Sequence, residues 1–391
     1  MPIFNSLGSN YNATYVLKAL FSIGSRKDIK NLKNLLEERY QGKSVLFYKG
    51  REALSLALKI LNLPKESEIA INGFTCIAVF NAIRYAGFEP LCLDLALPAG
   101  RQEETGGLDF TAKTLENSLK SKKNIKVVIV QNTLGYPCDI ERIENLCRKH
   151  KLTLIEDLAH CVGTVYEDGR EAGTVGDLVV LSFSQDKVID AVSGGALVVR
   201  NKKYKVSEPK FKAPKNQWKD RLYPRFTYRI RLSYRLGLGK LYHFLLKHLN
   251  LIPNVLNESF YDYYSLPRWY CKMVLYEFSR LNEQLVHRKK IANIYTSKLP
   301  NKVLMFNREK TKKAVSLSSN LRFPIFMDNR SELIKKLKRH GIYLSDIWYT
   351  DVAPECPNAV ADSKIILNLP THINVSEQNA KRISYLINQW I

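Results

Sequence analysis

No run of eighteen apolar residues occurs in the 391-residue chain, so no membrane-spanning helix is expected. The stretch from Met1 to Gly24 lacks a basic segment ahead of an apolar block and lacks a clear cleavage site, so it does not read as a secretory leader. CxxC spacing is missing too. The seven cysteines (Cys76, Cys92, Cys138, Cys147, Cys161, Cys271, Cys356) are scattered and odd in number. That argues against a disulfide framework and against a metal site, and for a reducing cytoplasm. There is no internal repeat and no low-complexity tract. Acids are scarce: 37 Asp and Glu against 60 Lys and Arg leave a net charge of +23. Such an excess favours partners that carry phosphate, whether a phosphorylated substrate, an anionic membrane surface or nucleic acid.

What is present is the alternation of an α/β fold, after a helical lead-in over residues 15–40. Ser44–Tyr48 reads as a strand stopped at Lys49–Gly50, and Arg51–Leu61 opens a helix with an apolar stripe. A strand, a glycine and a helix start make an anion site, because free backbone N–H groups and the helix dipole face whatever sits there. Strands follow at Glu68–Asn72, Glu89–Asp94, Lys126–Gln131, Thr153–Ile155 and Val179–Phe183, with helices at Ala78–Tyr85 and Asp139–His150 between them. That order predicts a mostly parallel sheet flanked by helices, with ligands at the carboxyl ends of strands. Residues 1–200 would form this large domain. Residues 256–391 would form a smaller α+β domain: one long helix over Leu275–Leu299, a strand at Asn320–Phe326, a helix at Ser331–His340, a strand from Ile365 and a last helix over Ser376–Trp390.

Two stretches carry chemistry. The strand ending in Ser182–Phe183 is followed by a single lysine, Lys187, and then by the Gly194–Gly195 start of another strand. An amine at the rim of a buried sheet can be desolvated and freed as a nucleophile. Upstream, the strand ending in Glu156–Asp157 is followed by His160. Taken singly, a lysine after a strand is most often a solvated loop residue, an Asp at a strand end a helix cap, and a histidine near a core a structural residue. The ordered set of amine, acid and polar ring neighbour points instead to pyridoxal 5′-phosphate (PLP) chemistry.

Between the two domains, residues 201–255 form a basic, aromatic segment. Residues 201–250 hold fourteen Lys and Arg but only two acids, Glu208 and Asp220, interleaved with aromatic and aliphatic residues. Pro224 is placed to start one helix and Gly239 to separate a second. A basic amphipathic pair fits a segment lying on an anionic membrane surface through residues 210–250. A solvated basic face that covers its own domain, or a dimer contact, fits equally. Nucleic acid fits least, since no binding module accompanies the charge.

From Ser44 to the C-terminus, with the basic segment as the main interruption, the chain resembles the DegT/DnrJ/EryC1/StrS sugar aminotransferases, of the aspartate-aminotransferase fold type I. Gly50–Arg51–Glu52–Ala53–Leu54 stands where that family has its Gly-Thr-Ser-Ala-Leu phosphate loop. Phe74–Thr75–Cys76, Gly135–Tyr136–Pro137–Cys138–Asp139, Glu156–Asp157–Leu158–Ala159–His160, Ser182–Phe183 with Lys187, Gly194–Gly195 and Asn368–Leu369–Pro370–Thr371–His372 follow in the family's order. The resemblance implies that Lys187 holds PLP as a Schiff base and shuttles the substrate proton, and that Asp157 pairs with the pyridinium nitrogen. It places His160 near the ring oxygen and Ser182 on the phosphate, with the backbone amides of Arg51 and Glu52 after Gly50. Cys76 stands where an aromatic residue often stacks on the ring, and Arg51–Glu52 replaces two hydroxyl donors. The family's dehydratases carry His where Lys187 stands. The implied protein is a transaminase acting as a homodimer. It moves an amino group from glutamate or glutamine to a nucleotide-linked keto sugar for surface polysaccharide or glycolipid synthesis, in the cytoplasm or peripherally at the inner membrane face. Two alternatives stay open: a non-enzymatic descendant serving as a membrane- or partner-binding scaffold, and a PLP enzyme with another reaction on an amino acid.

Overall fold

The computed structural model describes residues 2–96, 107–206, 211–215, 217–252, 263–344 and 352–391. A short strand, β1 (Ile3–Phe4), precedes helices α1 (Ala13–Phe21) and α2 (Arg26–Tyr40). The lead-in is thus two helices: α1 ends at an extended Ser22, and Ser25 opens α2 with a capping box to Asp28. Next come β2 (Lys43–Phe47), α3 (Gly50–Lys59), β3 (Glu68–Asn72), α4 (Ile77–Ala86), β4 (Glu89–Leu93), α5 (Ala112–Ser121), β5 (Ile125–Val130), α6 (Ile140–His150), β6 (Thr153–Asp157), β7 (Leu178–Ser182) and β8 (Gly195–Val199). Their strands form a seven-stranded sheet in the order β2-β8-β7-β6-β5-β3-β4. It is parallel except for β8, which runs antiparallel to both of its neighbours.

Alternate residues of each strand serve opposite faces of the sheet. Phe47, Ile71, Ile129, Val180 and Leu197 join one core cluster, and Leu46, Val128, Leu154, Val179 and Val198 the other. Burial on both faces explains why these strands read as near-continuous apolar runs.

The rest of the chain is α7 (Gln217–Ser233), α8 (Gly239–His248), α9 (Arg268–Ser279), α10 (Leu281–Lys298), α11 (Arg308–Leu317), β9 (Arg322–Phe326), α12 (Arg330–Arg339), β10 (Ile342–Tyr343), α13 (Pro357–Ile365), β11 (Ile366–Pro370) and α14 (Glu377–Asn388). Strands β9 and β11 pair antiparallel, and β1 pairs with β10. Phe323, Ile325 and Ile383 share the cluster of Phe47 and Ile71, so the C-terminal elements cover that face of the sheet.

Two expectations are corrected here. Pro224 does not start a helix but lies inside α7. The turn ahead of it is held from outside, where the Asp220 carboxylate accepts the Tyr48 and Tyr270 hydroxyls at 2.5 and 2.7 Å, and within the helix the Thr227 hydroxyl donates to the Tyr223 carbonyl at 2.9 Å. Tertiary anchoring thus outweighs the proline's missing donor. The single helix expected over 275–299 is two, α9 and α10, meeting at Arg280 (φ −107°, ψ 2°). There the Arg280 N–H turns back to the Glu277 carbonyl at 3.1 Å, and its guanidinium lies between Glu277 and Glu283. No Gly or Pro marks this break. Among the described residues, no helix is long and apolar enough to cross a membrane.

Candidate active site

Neighbouring strands β6 and β7 end side by side, with Asp157 opposite Val180. This puts Asp157, Ser182 and the loop carrying Lys187 on one rim of the sheet. The loop leaves β7 and returns as β8, closed by the Phe183 N–H on the Gly194 carbonyl (2.8 Å) and the Ala191 N–H on the Phe183 carbonyl (2.9 Å).

Its organiser is Asp190, fully buried. One carboxylate oxygen accepts the Tyr11 hydroxyl (2.6 Å) and the Val192 N–H (3.1 Å). The other accepts the Asp186 N–H (2.8 Å) and the Asn10 amide (2.9 Å), and that amide also donates to the Lys187 carbonyl at 3.1 Å. Burial, then the nearby Asp186 carboxylate, raise the Asp190 carboxyl to about 7. The lysine is therefore positioned by the N-terminal segment, which α7 clamps in turn: Arg231 donates to the Tyr11 carbonyl at 2.5 Å and Arg221 to the Ser22 carbonyl at 3.1 Å.

Around the Lys187 amine, burial disfavours charge most and leaves its pKa below the usual lysine range. Cys76, Asp157 and Asp186 face it and favour the charged form, while the Arg322 guanidinium opposes it. Asp157 is raised by burial, against the Ala159 N–H it accepts at 3.0 Å and the Lys187 charge. Its neighbour Glu156 points to the other face and serves the fold, accepting the Tyr166 hydroxyl and the Gly173, Val175 and Gly176 amides at 2.6–2.8 Å. His160 accepts the Leu134 N–H on Nδ1 at 3.3 Å, which puts its ring proton on Nε2. Burial, with Lys187 and Arg322 nearby, lowers its pKa well below normal and keeps the ring neutral.

An anion cradle adjoins this group. Helix α3 starts at buried Gly50, and its N-cap, Lys49, provides no side-chain cap. A Cβ on Gly50 would lie 2.8 Å from Ser182 Cβ and 3.1 Å from its Oγ, and a Cβ on Gly195 only 2.5 Å from Gly50 Cα. Both glycines are required by this approach of helix start to strand ends. Glu52 turns its carboxyl inward to the Tyr264 N–H (3.1 Å), and burial raises it to about 8. Its own amide donates to the Lys49 carbonyl at 3.2 Å.

The predicted residues thus come together. Asp157, His160 and Cys76 lie within electrostatic reach of Lys187, and Ser182 lies against Gly50, which Arg51 follows in α3. The Glu52 carboxyl is buried at the strand–helix junction against the Tyr48, Lys49 and Tyr264 backbone N–H groups. Their chemistry fits PLP: a desolvated amine for an aldehyde, a buried carboxyl for a ring nitrogen, and helix-start amides with no Cβ in the way for a phosphate. Sequence reasoning passed over Asn10, Tyr11, Asp190 and Arg322. The acids flanking the lysine in Asp186–Lys187–Val188–Ile189–Asp190 were the available signal for Asp190. Arg322, buried in β9, donates to the Leu321 carbonyl at 2.9 Å and to the Asn5 carbonyl, and lies 3.8 Å from Asp186. A separate cavity of about 1310 Å³, lined by Asn117, Tyr136, Asp139 and Lys310, contains none of the Lys187 group.

Comparison with known proteins bears on the same residues. The chain is 33% identical over 153 residues to the GDP-perosamine synthase of Escherichia coli O157:H7, which is 39% of each protein. It spans about two fifths of the length of the first curated relatives it matches. To the GDP-perosamine synthase of Caulobacter vibrioides it is 25% identical over 359 residues, covering 87% of this chain and 83% of that one. The aminotransferase TlmJ from Streptoalloteichus hindustanus, 21% identical, has the same fold, with a TM-score of 0.66 over 96% of this chain and 95% of that chain. The sequence profile of one family matches residues 32–233 and 261–388. Those two segments hold the lysine loop, the acid, the cradle and Arg322, and leave out α8. With most of its length and the predicted site residues inside them, the chain belongs to the DegT/DnrJ/EryC1/StrS aminotransferase family.

Proposed function

We propose that the protein is a PLP-dependent aminotransferase that moves an amino group from glutamate or glutamine to a keto sugar carried on a nucleotide, for surface polysaccharide or glycolipid synthesis. One observation carries this reading: a desolvated lysine and a buried carboxyl lie within electrostatic reach of each other on the rim where β7 meets the start of α3 at Gly50. Lys187 would hold the cofactor. Asp157 would keep the ring nitrogen protonated, and neutral His160 would meet the ring oxygen. The Arg51 amide at the start of α3 would take the phosphate with the Ser182 hydroxyl, the Glu52 amide being bonded to the Lys49 carbonyl, and Cys76 would lie against the ring. When bound, the cofactor supplies an electron sink for the bond next to the substrate nitrogen. The Lys187 amine, whose pKa burial lowers, is the base that would move a proton at that substrate carbon. A nucleotide-linked acceptor is supported by the relatives named GDP-perosamine synthase and by the net charge of +23. The scaffold alternative is disfavoured, since lysine, acid and cradle are all retained.

The test is direct. Purified protein mixed with PLP should gain a visible absorbance band, lost in Lys187→Ala and kept in Lys49→Ala. The loaded protein should then transfer nitrogen from glutamate or glutamine to nucleotide-linked keto sugars. A protein that binds no PLP refutes the reading. One that binds PLP and acts on amino acids alone shifts it to the other PLP chemistry.

Three finer points complete the proposal. The active site forms between two protomers of a homodimer. The family likeness supports this. The protein works in the cytoplasm and associates peripherally with the inner membrane face through residues 210–250. Residues 1–200 and 256–391 act as large and small domains, with α7 attached to the large one by Arg221, Arg231 and Asp220.

A further inference from the structure

We propose that the outward face of α8 is the docking surface for an anionic lipid bilayer, with the helix lying in the plane of the membrane. This rests on the peripheral association proposed above and narrows it from the whole basic segment to one helix.

Four observations support the assignment. Six large apolar side chains are about half exposed or more within fourteen residues: Leu236 (76%), Leu238 (54%), Leu241 (57%), Phe244 (65%), Leu245 (47%) and Leu249 (62%). Leu241, Phe244, Leu245 and Leu249 recur at helical spacing, so they form one stripe. Second, the helix is seated from behind. Leu246 is buried, and Gly239 lies so close to the Tyr234 ring that a Cβ there would be 2.0 Å from it. The stripe therefore faces outward in a fixed orientation. Third, residues 221–250 hold seven Lys and Arg and no acid, and Lys240 and Lys247 are exposed beside the stripe. Fourth, the family profile skips residues 234–260, so α8 lies outside what the family's sequences share.

Charge decides between occupants. A second copy docked through this face by two-fold symmetry would set the same cations against each other, with no carboxylate in the segment to pair them. An anionic bilayer pairs them with headgroups and takes the apolar stripe into its interface. Ten residues of helix span about 15 Å, half of a hydrocarbon core, so α8 lies on the membrane and does not cross it.

The test uses the full-length protein with PLP, sedimented with phosphatidylcholine vesicles containing about a third phosphatidylserine. Wild type should bind these vesicles, bind pure phosphatidylcholine far less, and release as salt rises. Leu241→Glu and Phe244→Glu should each weaken binding about ten-fold or more, and Lys240→Glu with Lys247→Glu should remove the preference for the anionic lipid. All the substituted side chains are exposed, and retained PLP absorbance shows that each variant is folded. Absence of wild-type binding, or unchanged binding by the Leu241 and Phe244 variants, overturns the proposal. So does a change of oligomeric mass in those variants with vesicle binding intact, which would make the face a contact between copies. Failure here leaves the absorbance band in place, whereas failure of the aminotransferase reading removes the band from wild type.

Discussion

Gly50 offers the sharpest test of the cradle. Alanine there would put its Cβ 2.8 Å from Ser182 Cβ, about 0.7–1.2 Å inside an ordinary carbon–carbon contact. Neither atom is the tip of a flexible chain: one begins α3 and the other ends β7. The backbone must move, and overpacking of this kind costs about 1–3 kcal/mol. Gly50 is the first residue of α3, outside the helix interior where alanine gains over glycine, so nothing offsets that. The expected net loss for Gly50→Ala, read from urea unfolding, is about 1–3 kcal/mol. A helix start displaced by most of an ångström also lengthens the amide bonds to a phosphate. With each charge-assisted bond worth about 1.5–3 kcal/mol, PLP affinity should fall at least about ten-fold. Adding Ser182→Gly removes both clashing atoms and leaves the Leu181 carbonyl at 3.2 Å. Stability should then recover, with a coupling of about 1 kcal/mol or more between the two sites. PLP affinity should stay low, because the serine hydroxyl is gone. Two substitutions that simply add, within about 0.5 kcal/mol, or a Gly50→Ala protein that unfolds and loads PLP like wild type, would show that no such close approach exists.

Further expectations concern the groups behind the site. Asp190→Asn replaces an oxygen that accepts two donors with an NH2 that faces them, so stability should drop by about 2–4 kcal/mol. PLP capture, followed by absorbance, should slow because the lysine loop loses its anchor, and unchanged capture would refute the positioning role. Tyr11→Phe removes one of the four bonds and should cost about 1 kcal/mol in the same assays. Glu52 binds its proton more tightly folded (about 8) than at its ordinary value of 4.5. Its contribution is therefore greatest below 4.5 and is lost as pH climbs towards 8. Glu52→Gln should flatten the fall of stability across that window, and an unaltered slope in urea melts at stepped pH would contradict it. Because burial lowers the Lys187 pKa, PLP capture by the apo protein should set in at lower pH than for an exposed lysine, and an onset at the ordinary lysine value would deny the desolvation.

What the sequence shows and hides follows the range of the forces involved. Strand β3 is legible to the residue, since its apolar run is set by burial on two faces and bounded by polar residues. Helices α5, α11 and α13 have no such signature: each buries only two residues, as in Ala112 and Leu115 of α5. The break at Arg280 is equally silent, because apolar spacing continues through it and the turn is fixed by a pair of acids rather than by a breaker. At the site, the amine and the acid are legible because Asp157 ends a strand whose pattern is plain and Lys187 follows another within five residues. Asp190 is not, since two of its four donors come from residues 10 and 11, across the whole width of the sheet in sequence. Nor is Arg322, whose cation reads as one polar position in a strand and acquires its effect on Lys187 and His160 only by burial. Local pattern thus marks the groups that would touch the cofactor, while the groups that position and tune them are chosen by tertiary contact. By the same logic the basic segment divides in two. Helix α7 is drawn into the fold by Asp220 and Arg231, single side chains that no periodicity distinguishes from their neighbours. The outward residues of α8 stay about half exposed or more, and so keep in the folded protein the apolar and basic pattern they had in the sequence.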